Sequence, residues 1–460
     1  MKPKPLLIAV ALLAVLGGAV WYTRENPPPA DDAAPKVIDL EEDSIREVTL
    51  LRAGEDPLTV VRGEDDEWEF GGGLEIAADD SSIGLMISSL ASLNADRMVS
   101  ESVVDWGPYE LDEPELAVSY KLEDGGGELR FGRETPTGSG VFARLEGDPR
   151  LFTVYSYNKT SFEKSVFDLR DKRLLRLDED SISTMAVRAG RNELEFAQSD
   201  GDWAIVKPME LRADDFTVND LERVLRTAEM TAVLEEGEET GSHSFDTPLA
   251  VVTVHDEAGS HELVVAKDGE AYYARSSDQS GVYEVSSTLA QSFDKPVADF
   301  RNKKLFDFGF DDPARIDVRA GAETVAVVRA DDKWVLESHE GREADGENVQ
   351  TLLDRLRGLT ATEFPSDRES DKAKYGLGQA AIQATVTPQG EAAEAETVLV
   401  SSLEEVPTYA ARDGEPSTYT IEQSAAQDIQ RAVETLIAPS EPEESEVDPA
   451  DEGTADSDSG

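Results

Sequence analysis

The chain contains no cysteine. This one absence removes disulfides, thiolate metal sites and thiol nucleophiles together. Histidine is scarce: His243, His255, His261 and His339 are the four present, and no His-Glu-x-x-His occurs. His255 and His261 flank an expected hairpin, and their bland reading, two solvated imidazoles, outweighs a metal pair. No Gly-x-Ser-x-Gly elbow and no Walker-type Gly-Lys-Ser/Thr run is present. The nearest glycine-rich loop, Thr137-Gly138-Ser139-Gly140-Val141, leads into a strand, whereas phosphate cradles lead into a helix, so a hairpin turn is expected. Positive charge is outnumbered, with 43 Lys and Arg against 97 Asp and Glu and a net charge of −54. That balance excludes nucleic acid as a partner, because phosphate binding needs a basic face. It also disfavours a flat seat on anionic lipid. No Asp-rich loop has EF-hand spacing, so the acids are expected to form a solvated surface. Catalytic, cofactor-binding and metal-binding roles are therefore expected of no residue.

What is present begins with an apolar run from Leu6 to Tyr22, preceded by Lys2 and Lys4, ending in Trp21-Tyr22 and followed by Arg24. As a helix it would span about 25 Å, close to the hydrocarbon thickness of a bilayer. The positive-inside rule places the amino terminus in the cytoplasm. Residues 6–22 are thus expected to anchor the chain in the cytoplasmic membrane; Gly17 and Ala19 leave a cleaved signal peptide as the alternative. Either way the bulk of the chain is exported. Residues 23–36 read as a Pro-rich acidic linker, and residues 438–460, with nine acids and no base, as a disordered tail.

Between these ends the chain repeats itself. Trp68, Trp203 and Trp334 each close a short strand pattern, separated by 135 and 131 residues. Ten residues after each comes Ala-Asp, at Ala78-Asp79, Ala213-Asp214 and Ala344-Asp345. Apolar stripes follow: Ile83, Met86, Leu90, Leu93; then Val218, Leu221, Leu225, Ala228; then Val349, Leu352, Leu356, Leu359. This three-four-three spacing is one face of a helix, with the Asp placed to cap it. Tyr109-Glu110-Leu111, Phe245-Asp246-Thr247-Pro248 and Tyr375-Gly376-Leu377 each precede alternating strands, and Tyr-Ala strands such as Tyr272-Tyr273-Ala274 come later. Ser161–Leu175 and Ser292–Phe306 share eight identities in fifteen positions, including Arg170 and Arg301. This segment reads as the joint between one module and the next. The third copy lacks it and closes with a helical stretch, Ala425–Leu436.

The expected fold is α+β: three tandem repeats at 37–173, 174–304 and 305–437, each an antiparallel sheet with a β-meander and one packed helix. The recurring Trp residues are expected to pin the hairpin to the core; an exposed Trp row would instead stack on sugars. Arg170 and Arg301 are expected to bridge carbonyls or carboxylates at the joints.

Taken together, the anchor, the Trp hairpin, the Ala-Asp helix start, the Tyr-Gly-Leu-like element, the Tyr-Ala strand and the Asp-Leu-Arg-Asp-Lys-x-Leu ending resemble a bacterial family. It is known as domain of unknown function four-three-four-zero. The resemblance covers nearly all of residues 37–437. Glu110 stands where that family usually has Gly, copy two lacks the Tyr-Gly-Leu core, and copy three lacks the Arg-Asp-Lys ending. The resemblance implies an envelope protein encoded beside gliding-motility-type ABC transporter components, hence a non-catalytic accessory or scaffold role with such components as partners. A glycan- or polymer-binding module is the alternative, for which Trp203 and Tyr272 are the residues to vary.

Overall fold

The structure, a computed structural model, describes residues 35–178, 181–234, 245–331, 333–390 and 394–438. The expected anchor (6–22), almost all of the expected linker and tail, and His243 lie outside the described residues. Among the described residues no helix is long and apolar enough to cross a membrane.

The first repeat has strands β1 (Ile45–Arg52), β2 (Leu58–Arg62) and β3 (Trp68–Phe70), then helix α1 (Asp80–Ala91) and strand β4 (Arg97–Ser100). It continues with β5 (Leu116–Leu122), β6 (Gly126–Glu134), β7 (Gly140–Leu145), β8 (Leu151–Tyr155) and short helices α2 (Ser156–Thr160) and α3 (Val166–Leu169). The second has β9 (Thr184–Ala189), β10 (Asn192–Ser199), β11 (Asp202–Lys207), β12 (Leu211–Arg212), α4 (Asp215–Arg226) and β13 (Met230–Val233). It ends with β14 (Ala250–His255), β15 (Ser260–Asp268), β16 (Ala271–Ser276), β17 (Tyr283–Val285) and α5 (Ser287–Gln291). The third has β18 (Arg315–Ala320), β19 (Glu323–Ala330), β20 (Lys333–Leu336), β21 (Arg342–Glu343), α6 (Gly346–Arg357) and β22 (Ala361–Ser366). Strands β23 (Ile382–Thr387), β24 (Glu396–Val400), β25 (Thr408–Arg412) and β26 (Thr418–Ile421) follow, and α7 (Gln423–Ile437) closes the fold.

The first sheet runs β3-β2-β1-β5-β6-β7-β8-β4 and the third β21-β20-β19-β18-β23-β24-β25-β26-β22. The second repeat carries its strands in the same order. The chain divides into two compact units, and the division falls within this repeat. One unit runs up to Arg176 and adds Arg226–Leu249 and His261–Ala290; the other is Leu177–Leu225, Ala250–Ser260 and the chain from Gln291 onward. All described pairings are antiparallel, so the chain is a tandem-repeat α+β protein.

Why these segments fold alike follows from their pattern. Every member of the three apolar stripes is buried. Asp79 caps α1 by accepting the Ser81 and Ser82 N–H groups, Asp345 caps α6 through Asn348, and the Asp214 carboxylate accepts the Thr217 N–H at 2.8 Å. In the first repeat the stripe packs with Val48, Val60, Leu116, Val118 and Phe131 of the sheet; in the third with Ile316, Val318, Val327, Ile382 and Val398. Each Val, Leu, Ile or Met of the stripes taken from water in this way contributes about 1.5–3 kcal/mol. Trp68 opens β3 rather than closing it, and it donates its N–H to Asp80 Oδ1 at 2.7 Å. Trp203 does the same to Asp215 at 2.8 Å. Glu110, in the Tyr-Gly-Leu position, has φ 56°, and its counterpart Gly376 has φ 78°. A left-handed residue is required there, which is the physical reason glycine suits the position.

Candidate functional site

The site that the repeats share is the joint. At the first, Asp79 N–H donates to the Leu169 carbonyl at 2.8 Å and Asp171 N–H to the Ala77 carbonyl at 2.9 Å. The next residues turn to the following repeat: Leu174 N–H donates to Ala228 O at 2.7 Å, and Met230 N–H to Lys172 O at 2.9 Å. At the second joint the same four bonds recur. Asp214 donates to Phe300 O (2.8 Å), Asn302 to Arg212 O (3.0 Å), Leu305 to Leu359 O (3.0 Å) and Ala361 to Lys303 O (2.7 Å). Each joint is therefore one extended peptide that fills a front slot beside the helix start of one repeat and a rear slot behind the helix of the next. The first repeat has no joint before it, and residues 35–38 fill its rear slot instead. Val37 N–H donates to Leu93 O at 2.9 Å, and Ala95 N–H to Pro35 O at 2.8 Å.

The two joint arginines are almost fully buried, Arg170 at 6% exposure and Arg301 at 4%. Arg301 donates to Asp367 (2.8 Å) and to Ser417 Oγ (2.8 Å), and lies 3.8 Å over the Phe364 ring. Arg170 donates to Gln279 Oε1 at 2.9 Å and lies over Tyr283 at 5.5 Å. It has no carboxylate partner among the described residues.

Beside the second joint opens a groove of about 970 Å³ lined by Trp203, Leu211, Arg212, Phe216, Arg301 and Tyr419 among others. Its polar wall is already neutralised. Arg212 is held by Asp307 and by Glu415 (2.8 Å) and donates to the Lys304 carbonyl. Tyr419 donates its hydroxyl to Glu415 at 2.5 Å. Burial, with the Glu415 charge behind it, pushes the Tyr419 phenol above its ordinary range. Burial would lower the Arg212 guanidinium, but Glu415, Tyr419 and Asp307 outweigh it and raise its pKa. Asp202, Glu210, Lys304 and Phe216 remain exposed along the groove.

Of the residues singled out by sequence, Trp203 and Arg301 meet in this groove. Trp203 nevertheless keeps only 4% of its surface exposed and donates Nε1–H to Asn219 at 2.8 Å. Trp68 and Trp334 belong to the cores of the first and third repeats, each under an arginine. Tyr272 is half-buried on β16 beneath Lys267. Among the described residues no three His, Asp or Glu side chains gather to hold a metal; His261 pairs with Asp278 at 2.7 Å. Arg212, Asp367, Glu415 and Ser417 were not foreseen. One signal existed for Arg212: it takes the place of Ala77 in the first copy, a charge where the duplication offers a methyl.

A family model described as "Domain of unknown function (DUF4340)" matches residues 68–205, 203–377 and 334–443. The three matches begin at Trp68, Trp203 and Trp334, the same register that the internal repeat defines. No curated protein and no solved structure matches the chain.

Proposed function

This chain belongs to the DUF4340 family and carries its domain three times, and from that premise we propose a non-catalytic envelope scaffold held in the cytoplasmic membrane by residues 6–22. Its repeats lie outside the membrane and offer an extended surface to membrane partners, ABC-transporter components of the gliding-motility type. One observation carries this reading: the side chains that recur across the copies are consumed in packing. The Trp residues sit in cores, the Asp residues cap helices, and Arg170 and Arg301 are buried at joints. What the duplications kept is an architecture. Crosslinking in intact membranes followed by detergent purification tests the proposal. A specific transporter component should be recovered with the chain; recovery of the chain alone would sink it.

The groove beside Trp203 favours a second reading, a seat for an envelope glycan or other polymer. Phe216 stands exposed on its wall, where a sugar ring could stack. Polysaccharide pull-down with Phe216→Ala, Trp203→Ala and Tyr272→Ala separates the two. Retention that falls with Phe216→Ala alone favours the glycan.

A further inference from the structure

Among the described residues one of the repeats' acceptor slots is left open. The first two repeats have their front slots filled by the joints that follow them, but the third has no joint after it. The equivalent backbone is Glu343-Ala344-Asp345, beside β21 at the edge of the third sheet. Ala344 donates its N–H to the Trp334 carbonyl at 2.8 Å, so strand alternation turns the groups of Glu343 and Asp345 away from β20. In the filled repeats the matching N–H groups, of Asp79 and Asp214, each hold a joint carbonyl. Asp345 N–H holds no backbone carbonyl among the described residues. Exposure agrees: Asp79, Asp214, Ala77 and Arg212 are half-covered, whereas Glu343 and Asp345 are exposed.

Helix α7 replaces only part of what a joint supplies. Its buried Leu436 enters the third core, and the carbonyls of Leu436, Ile437 and the capping Ala438 accept from Arg342. The apolar half of the site is thus closed, while no described residue pairs with its backbone half. An unpaired edge with outward-facing N–H and C=O groups is the template for adding a strand.

We propose that Glu343–Asp345 is a docking slot for an extended, basic segment of a partner protein, added to the sheet edge as the joints are added to the first two repeats. The segment gives a carbonyl to Asp345 N–H and an N–H to Glu343 C=O. It is basic because the slot is rimmed by exposed Asp345 and Glu347, beside Glu343, which pairs with Lys333, and because the residue between the two front-slot bonds is an arginine in both joints, Arg170 and Arg301. A second copy of the chain is a poor donor, since both of its joint segments are already paired at front and rear. Nothing in this depends on the membrane anchor.

A fluorescein-labelled peptide with the sequence of residues 297–306 serves as the probe, titrated with the full chain and followed by anisotropy. Saturable binding that weakens with salt is expected. Asp345 has φ −66°, a value proline adopts without strain, so Asp345→Pro removes the N–H while sparing the backbone shape. It should weaken binding about tenfold or more, while Asp345→Ala, which loses the cap but keeps the N–H, stays within about twofold. A peptide N-methylated at the Asn302 position should lose the same factor against the unaltered chain, a check that needs no protein variant. Absence of saturation, or binding by Asp345→Pro or of the N-methyl peptide that is as tight as that of the unaltered pair, overturns the proposal. So does binding that emerges only when residues 439–460 are deleted, because the chain's own tail would then be the occupant.

Discussion

The joints at residues 166–176 and 297–307 have one backbone and two chemistries. Their four backbone hydrogen bonds match residue for residue. Around them, equivalent side chains do equivalent tasks with different groups. The Leu174 carbonyl accepts from Ser276, and the Leu305 carbonyl accepts from Arg412. Arg176 N–H is held by Asp278 at 2.7 Å, and Asp307 N–H by Glu396 at 2.8 Å. Arg170 meets an amide where Arg301 meets a carboxylate. The second joint is an ion network in which Arg212, Arg301 and Arg412 face Asp307, Asp367, Glu396 and Glu415. Two solutions coexist because a buried donor needs an acceptor, and either a neutral or a charged one satisfies it. The extended peptide defines the connection; the polarity around it is free to drift.

This contrast can be broken most directly at the arginines. Arg301→Ala leaves Asp367 without its buried partner and should cost roughly 3 kcal/mol, against about 1 kcal/mol for Arg170→Ala, which orphans only an amide. Hydrogen exchange at the Asn302 and Leu305 amides, compared with Asp171 and Leu174, reads each loss locally. Equal losses would mean that the carboxylate adds nothing. Gln279→Glu sharpens the comparison from the other side by giving Arg170 the charged acceptor it lacks. Protection at Asp171 should rise by about 1 kcal/mol, the gain of a charge-assisted bond over a neutral one; unchanged protection would show that the amide already suffices.

The smallest effect is in the response to pH. Burial alone would raise the Asp278 carboxyl, but the Arg176 N–H, the Ser277 hydroxyl and His261 outweigh it and hold its pKa below the ordinary range. A depressed folded pKa gives stability that is present above the unfolded value and lost as pH falls through the folded one. The first joint should therefore loosen in acid, below about pH 4. The Tyr419 phenol is raised, so its contribution is present below the unfolded value and lost as pH rises past about 10. The second joint should loosen in alkali. Glu163→Cys and Asp294→Cys place labels at equivalent exposed positions in a chain with no other thiol. The same pH profile from both labels would erase the distinction.

Much of this architecture is legible in the sequence because it rests on local periodicity. A three-four-three stripe states which face is buried, and an Asp at its head states where the helix begins. The joints are legible because their eight shared residues outlast divergence around them. Their partners are not. Asp367 and Ser417 lie 66 and 116 residues from Arg301, and no spacing rule joins them. Nor is the role of Pro35 and Lys36 readable. They sit at the end of an expected linker, yet they pair with Asn94 and Ala95 through backbone groups that every residue type possesses. The groove draws on three distant stretches of chain, so only the folded molecule reveals it.

The matched bonds at front and rear make the middle copy a removable cassette. Splicing Arg173 to Leu305 would preserve the donors and acceptors at Ala77, Asp79, Leu359 and Ala361, and would bring Arg170 to the site where Asp367 and Ser417 wait. Copy number in such a chain is then a quantity that recombination can raise or lower without inventing a new backbone contact, while α7 supplies a fixed terminus whatever the number of copies.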